Sequence, residues 1–315
     1  MSVVLETVCG GVRLRSPIMP ASGTFSHEME NVLDLGQLSA LVLKTTTYTS
    51  RRGNPVPRVT ETSFGMLNSI GIPGGGIQHF VANELPKYRR SGAPIVASIS
   101  ADTAAQFGEM AAILSDEGLA AIELNISCPN IEADGQAFAM SREATARVVA
   151  TARRATTLPL WAKLTPNTGE IVNIAKAAES AGADALVVAN TILALAIDAD
   201  SRRAELGNIM GGLSGPGVKP IILRMVYQCA RKVSIPIIGC GGISSGRDVV
   251  EYLLAGATTV QVGTESFRDP TALVRIEREL VEFCDGRGIS SLRELIGGLM
   301  VQDAPAGAPD VDVAP

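Results

Sequence analysis

A thiol, two ammonium groups, a set of amides and two glycine-containing pairs stand out in this 315-residue chain because they lie at or near the ends of apolar runs. In AIELNISCPN, residues 121–130, a strand pattern runs into Asn125, Cys128 and Asn130. A strand that only had to be buried has no use for thiol reactivity or amide hydrogen bonding. A free thiol titrates at about pH 8.5, so modest help from amide donors yields a thiolate able to act as a general base, whereas a serine would need an activating partner. The bland reading of Cys128 is a small buried hydrophobe. Pro129 and the polar residues around it speak against that reading.

Lys44 and Lys163 each close an otherwise apolar run, ALVLK and PLWAKLT. One such lysine alone reads equally well as a side chain snorkelling to solvent, but two converging ammonium groups point to an anionic ligand. Asn68, Asn125, Asn130 and Asn190 offer paired donors and acceptors, which match a ring that alternates N–H and C=O along its edge, as pyrimidines do. Gly241-Gly242 and Gly263-Thr264 end two late strand runs. Either alone reads as an ordinary turn, and together they read as a cradle for a phosphorylated ligand.

These groups need a scaffold that gathers strand ends. Eight short β-rich runs recur: SPIMP ending at Ala21, ALVLK, PIVASIS, AIELNIS, PLWAKLT, ALVVAN, PIIGCGG and TVQVGT. Each is followed by a polar or glycine-rich turn and a helical pattern, and several follow a helix-ending glycine, as in AGADALVV and AGATTVQV. In TAAQFGEMAAILSDEG, Phe107, Met110, Ala111 and Leu114 share a stripe, and Thr168 is the expected N-cap of TGEIVNIAKAAESAG. Eight βα units predict a (β/α)8 TIM barrel spanning residues 1–301, with active-site groups at the carboxyl ends of its strands. The segment Thr45 to Gly92 is expected to be a long active-site loop inserted after strand two, with a helix near Gln78 to Lys87. The tail QDAPAGAPDVDVAP, residues 302–315, is expected to be disordered.

Composition narrows the field further. Only 4% of residues are aromatic while 46% are hydrophobic, a mixture suited to alternating strands and helices. A net charge of −5 with no basic block argues against nucleic acid. No long apolar window suggests a membrane span, and Glu6 inside the first apolar run is unlike a signal peptide, so a cytoplasmic location is expected. Five cysteines without pairing spacing and only His27 and His79 disfavour metal, iron–sulfur or disulfide frameworks and a Ser-His-Asp triad. Cys229 and Cys240 read as structural, and His79 as surface or structural.

The motifs ASGTF, RRGNPVPRV, GMLNSIGIP, ELNISCPN, GQAF, KLTPN, GGLSGP, GCGGI and VGT occur in this order between about Leu5 and Met300. In them the chain resembles class 1 dihydroorotate dehydrogenases, and most closely the catalytic subunit of the NAD-linked subclass 1B. The resemblance implies oxidation of dihydroorotate to orotate in pyrimidine biosynthesis, with Cys128 as the base that takes the C5 proton while hydride leaves C6 for FMN. It assigns FMN to Ser22, Lys44, Thr45, Asn125, Lys163, Ala189, Gly215, Gly241, Gly242, Gly263 and Thr264. Ser98 is added with the reservation that the family commonly has asparagine at that strand end. Dihydroorotate is assigned to Lys44, the run Asn68, Ser69, Ile70, Gly71 and Ile72, and Asn125, Asn190 and Thr191. It further implies a homodimer joined to a separate subunit carrying FAD and a [2Fe–2S] cluster, a heterotetramer that passes electrons to NAD.

Four alternatives are weighed, one of them a membrane-bound, quinone-linked enzyme, which normally uses serine as base and carries an amino-terminal hydrophobic extension. A dihydropyrimidine dehydrogenase-like FMN subunit typically reads Cys-Pro-His where this chain has Cys128-Pro129-Asn130, and carries a cysteine-rich extension. A fumarate-linked subclass 1A enzyme would need no partner. A catalytically silent flavin-binding scaffold would dispense with Cys128 or the two lysines.

Overall fold

The structure is a computed structural model that describes residues 3–127 and 137–300. Eight parallel strands form its frame: β1 (Ile18–Pro20), β2 (Leu41–Val42), β3 (Ile95–Ser100), β4 (Ala121–Asn125), β5 (Leu160–Lys163), β6 (Ala185–Val188), β7 (Ile237–Cys240) and β8 (Thr259–Val262). Each pairs with the next from β2 to β8, and β8 pairs back with β1 through Val260 and Ile18. Contact between β1 and β2 brings the two ends of the sheet together. The expected (β/α)8 barrel is therefore present, with all eight strands where the apolar runs lie. The expected tail lies outside the described residues.

Helices between strands supply the outer layer, including Ala104–Leu114, Arg142–Ala155, Ile171–Ser180, Lys219–Ala230, Gly246–Leu254 and Ala272–Asp285. The stripe Phe107, Met110, Ala111 and Leu114 is buried, as its spacing predicts. One cap differs from expectation. The helix after β5 begins at Ile171 with Glu170 in the N-cap position, and the Thr168 hydroxyl instead accepts from the Glu170 N–H at 3.1 Å, a local turn just ahead of the helix. No helix among the described residues is long and apolar enough to cross a membrane.

Because side chains alternate along a strand, each barrel strand faces two environments. Ile95, Ala97, Ile99, Ile122, Leu124, Leu160 and Ala162 pack outward in the cluster shared with the helices. Val96, Ala121, Trp161, Ala185, Val187 and Ile238 pack inward with Met19 and Val42. An amino-terminal hairpin, Thr7–Cys9 with Val12–Leu14, closes the floor of this inner core. Its turn uses Gly10 and Gly11 at φ +48° and +80°, and a Cβ on Gly10 would lie 2.6 Å from Trp161 Nε1. Trp161 is fully buried and donates its indole N–H to the Gly10 carbonyl at 3.2 Å.

The segment from Thr45 to Gly92 is more structured than a loop with one helix. Its helical stretch spans Ile77–His79, Phe80–Glu84 and Leu85–Arg89, and a hairpin, Val59–Thr62 with Gly65–Asn68, precedes it. That hairpin joins Met210–Ser214 and Ile192–Leu195 in a four-stranded antiparallel sheet, here called the roof.

Candidate active site

The inward positions turn polar as the strands rise from the floor. On β4 the inward series is Ala121, Glu123, Asn125; on β3 it is Val96, Ser98, Ser100; on β5 Trp161 is followed by Lys163; and on β8 Thr259 is followed by Gln261. Sheet register sets Ser98 beside Glu123 and Lys163 beside Asn125. Ser98, Glu123 and Gln261 are fully buried, while Asn125 and Lys163 are nearly so.

These groups form one hydrogen-bonded network. Glu123 accepts from the Ser98 hydroxyl at 2.9 Å and from the Gln261 amide at 2.8 Å, one bond at each carboxylate oxygen. Lys163 Nζ donates to Ser22 Oγ at 3.2 Å and Gln261 Oε1 at 3.4 Å, and stands 3.8 Å from Glu123. Ser98 Oγ and Thr45 Oγ1 are 2.9 Å apart, and the Asn125 amide donates to Thr45 at 3.2 Å. At the mouth, Asn125 Oδ1 accepts from Ser127 at 2.6 Å and from the Asn190 amide at 3.4 Å, and Asn190 also bonds Ser127. Asn190 Oδ1 accepts from the Thr191 N–H at 2.8 Å, and Asn167 of the KLTPN motif reaches the Thr191 carbonyl at 3.1 Å.

The roof brings a second group alongside. Asn68 ends its strand opposite Gly212, to whose carbonyl its amide donates at 3.3 Å, and a Cβ on Gly212 would lie 2.0 Å from Thr191 Oγ1. Asn68 and Thr191 thus flank one glycine. Ser69 and Ile70 are held by Asn54, through its side chain at 2.7 Å and its backbone N–H at 3.1 Å. Gly71 and Ile72 both adopt positive φ, and for the β-branched Ile72, at +48°, that is a strained backbone. Lys44 bonds the Pro73 carbonyl. A cavity of about 190 Å³ is lined by Lys44, Thr45, Ile72, His79, Glu84 and Tyr88. Desolvation lowers the Lys44 pKa from its ordinary value, against the opposing pull of Glu84.

The glycine turns meet at the far side of the mouth. Gly242, at φ +70°, has room for no side chain, since a Cβ would sit 2.8 Å from the Gly215 carbonyl and 2.9 Å from the Lys219 N–H. Thr264 bonds Ser214 at 2.7 Å, which ties the turn after β8 to the roof strand preceding Gly215. Tyr252 donates to the Gly241 carbonyl at 2.6 Å, and Arg275 joins Glu265 to Ser244 behind both turns. Gly263 differs from its neighbours: a Cβ there would meet only Ala21 and Thr24, at 3.5 and 3.7 Å, so the packing of this chain does not itself demand glycine. Ser266, two residues past Thr264, has a buried hydroxyl with no partner among the described residues. Ala189 lies beside these turns, its N–H donating to the Cys240 carbonyl at 3.0 Å.

Cys128 and Asn130 fall outside the described residues. Cys9, Cys229, Cys240 and Cys284 are all buried. Burial pushes Cys9 and Cys229 up to about 12 and raises Cys240 as well, which fits the structural reading of Cys229 and Cys240. Glu123 and Gln261 have no place among the strand-end residues singled out in the sequence. Their signal was a polar side chain two positions before a strand-end site residue, Glu123 before Asn125 and Gln261 before Gly263, inside otherwise apolar runs.

A parallel eight-stranded barrel whose strand ends gather lysine, amides and glycine turns over a polar interior is the architecture of a barrel enzyme that handles an anionic ligand. Residues 4–284 match the family model described as dihydroorotate dehydrogenase, and the chain belongs to that family. Among its relatives, a protein of Citrifermentans bemidjiense is 44% identical over 94% of this chain and 98% of its own length. One of Shouchella clausii is 45% identical over 93% of this chain and 98% of its own, and one of Porphyromonas gingivalis is 44% identical over 93% and 96%. All three are named dihydroorotate dehydrogenase B (NAD(+)), catalytic subunit.

Proposed function

We infer that this chain is the catalytic subunit of an NAD-linked dihydroorotate dehydrogenase, oxidising dihydroorotate to orotate in pyrimidine biosynthesis. The observation that carries the reading is the convergence of Asn125, Ser127 and Asn190 at the barrel mouth, immediately before Cys128 and beside Lys163. The NAD-linked reading is preferred to the fumarate-linked and dihydropyrimidine alternatives because the relatives matched over nearly their full lengths carry the NAD-linked name.

Asn68, Asn125, Asn190 and Thr191 supply alternating donors and acceptors for the edge of the pyrimidine ring, with Lys44 and the run Ser69 to Ile72 completing the pocket under the roof. Cys128 takes the proton from C5, next to the C4 carbonyl. FMN, when bound, supplies the acceptor for the hydride that leaves C6. The residues present fit it. Gly215, Gly241, Gly242, Gly263 and Thr264 would hold its phosphate, and the room beside Gly263 and the unpartnered Ser266 hydroxyl suit a ligand there. Ser22, Thr45, Ala189 and Lys163 would line its ring, Lys163 offering a cation. Ser98 acts from beneath through Thr45 and Glu123.

Electrons leave for NAD through a separate subunit carrying FAD and a [2Fe–2S] cluster, docked on a homodimer of this chain in the cytoplasm. Five cysteines without cluster spacing support placing the iron–sulfur centre elsewhere. Phe64, Leu193, Leu195, Ile197 and Met210, in or beside the roof, are at least half exposed, apolar area of the kind subunit contacts cover. The purified chain is expected to be yellow, to bleach anaerobically on adding dihydroorotate, and to reduce NAD slowly until the partner is added. A colourless protein, or flavin untouched by dihydroorotate, would overturn the function. Rapid reduction of NAD by the single chain, or efficient use of fumarate, would overturn the partner.

A further inference from the structure

Beyond its bond to Ser98, Glu123 has no part in the reaction as described above, yet it is fully buried at the centre of the barrel, one layer below the strand ends. Both of its oxygens accept hydrogen bonds, from Ser98 at 2.9 Å and from Gln261 at 2.8 Å, as a carboxylate does. That fixes the direction of the chain above it. Ser98 spends its single proton on Glu123, so Thr45 must donate to Ser98, and Thr45 in turn accepts from the Asn125 amide. The Asn125 oxygen is thereby turned toward Ser127 and Asn190. On its other side Glu123 stands 3.8 Å from Lys163, whose side chain is 5% exposed while that of Glu123 is 0% exposed. Gln261 bridges the pair, donating to Glu123 and accepting from Lys163. Burying an ammonium this far costs stability unless an anion pairs with it.

We propose that Glu123 is a positioning residue for the flavin reaction: its buried carboxylate aims the Lys163 ammonium at the barrel mouth and offsets part of its charge. Through Lys163, Glu123 sets how readily the bound flavin is reduced. This rests on the FMN reading above. Neutralising Glu123 without changing its shape removes its share of the compensation of the Lys163 charge, which favours negative charge on the ring and moves its potential in the positive direction. An amide at this position also forces Gln261 to turn if the bond between them is kept, removing an acceptor from Lys163.

Two measurements test the proposal. In spectroelectrochemical titration of the FMN-loaded protein at pH 6, Glu123→Gln is expected to favour reduction at least tenfold, about 30 mV for a two-electron couple. Glu123→Asp, which keeps the charge but draws it back, is expected to fall between Glu123→Gln and the parent. An unchanged or more negative potential in loaded Glu123→Gln overturns the proposal. The second measurement needs no flavin: thermal denaturation of the parent, Glu123→Gln, Lys163→Met and the double variant. In the parent background Glu123→Gln is expected to lower the melting temperature by taking the Glu123 charge from beside the buried Lys163 ammonium. In the Lys163→Met background it is expected to raise it by removing a buried unpaired anion. A fall in both backgrounds overturns the pairing. Failure of the FMN reading would show in the unmutated protein as absence of flavin, separately from either outcome.

Discussion

The two ends of the barrel interior are built by the same strands and serve opposite ends. At the floor, inward residues such as Ala121, Trp161 and Ile238 pack against Cys9, Val12 and Leu14 of the hairpin. Two residues further along, the inward positions hold Glu123, Lys163 and Cys240. Burying a large apolar side chain stabilises by roughly 1.5–3 kcal/mol, whereas burying a charge costs stability unless it is paired. The floor therefore holds the barrel shut, and the mouth keeps polar groups that the floor's packing makes tolerable. The cysteines show the same contrast. Cys9 is sealed at the floor and its thiol is pushed up to about 12 by desolvation, against a weaker opposing bond from Thr259, while Cys128 follows a hydrogen-bonded cluster of amide and hydroxyl.

This contrast can be broken most sharply at Cys128. Cys128→Ala is expected to retain FMN and to slow flavin reduction by dihydroorotate about 10²–10⁴-fold in rapid mixing, and Cys128→Ser to keep a small activity that rises with pH. A parent-like rate in Cys128→Ala would remove the base from the mouth. At the floor, Trp161→Ala is expected to destabilise the protein by about 3–5 kcal/mol in urea unfolding. Its flavin-reduction rate in the folded fraction should change far less than that of Cys128→Ala. Lys163→Ala is expected to shift the flavin potential negative, by about tenfold in the equilibrium constant or about 30 mV, because the cation proposed for the flavin site is lost. An unchanged potential in fully loaded protein would mean Lys163 serves the floor's kind of purpose. The smallest effect belongs to Cys9→Ala, expected to alter the reduction rate by less than about twofold. Native Cys9 should also resist iodoacetamide at pH 8 under conditions that modify Cys128, as peptide mass spectrometry would show.

The frame was legible because the barrel strands are compact apolar runs, several of them introduced by a glycine or proline, and local pattern is enough to see them. The roof was not. Met210–Ser214 reads Met-Gly-Gly-Leu-Ser, half-exposed and glycine-rich, and its partner Gly65–Asn68 lies far away in the chain, so neither stretch declares itself alone. The floor hairpin left a usable sign in Gly10-Gly11 between alternating residues, a turn signal that the eight-strand count passed over. Within the site, Asn125, Lys163, Asn190 and the glycine turns were visible because they end strands. Glu123 and Gln261 were hidden because they sit inside apolar runs, where only the two-residue alternation separates an inward polar group from the core around it. Thr168 was placed two residues too early as a cap because its hydroxyl serves a turn that leads into the helix.

The roof also sets an order of assembly. Met66 pairs with Ser214 and Asn68 with Gly212, while the strand that β1 bonds to in the sheet is β8, through Ile18 and Val260. During synthesis the first half of the chain has neither a cover over its strand ends nor a closing stave. Contacts of such long sequence separation are also the slow ones to form. Asn68 meets Gly212 and Thr191 only after most of the chain has been made, and the three glycine turns meet only after β8. The proposed pocket is therefore completed late, because a chain ending before residue 212 lacks the roof strand that pairs with Asn68.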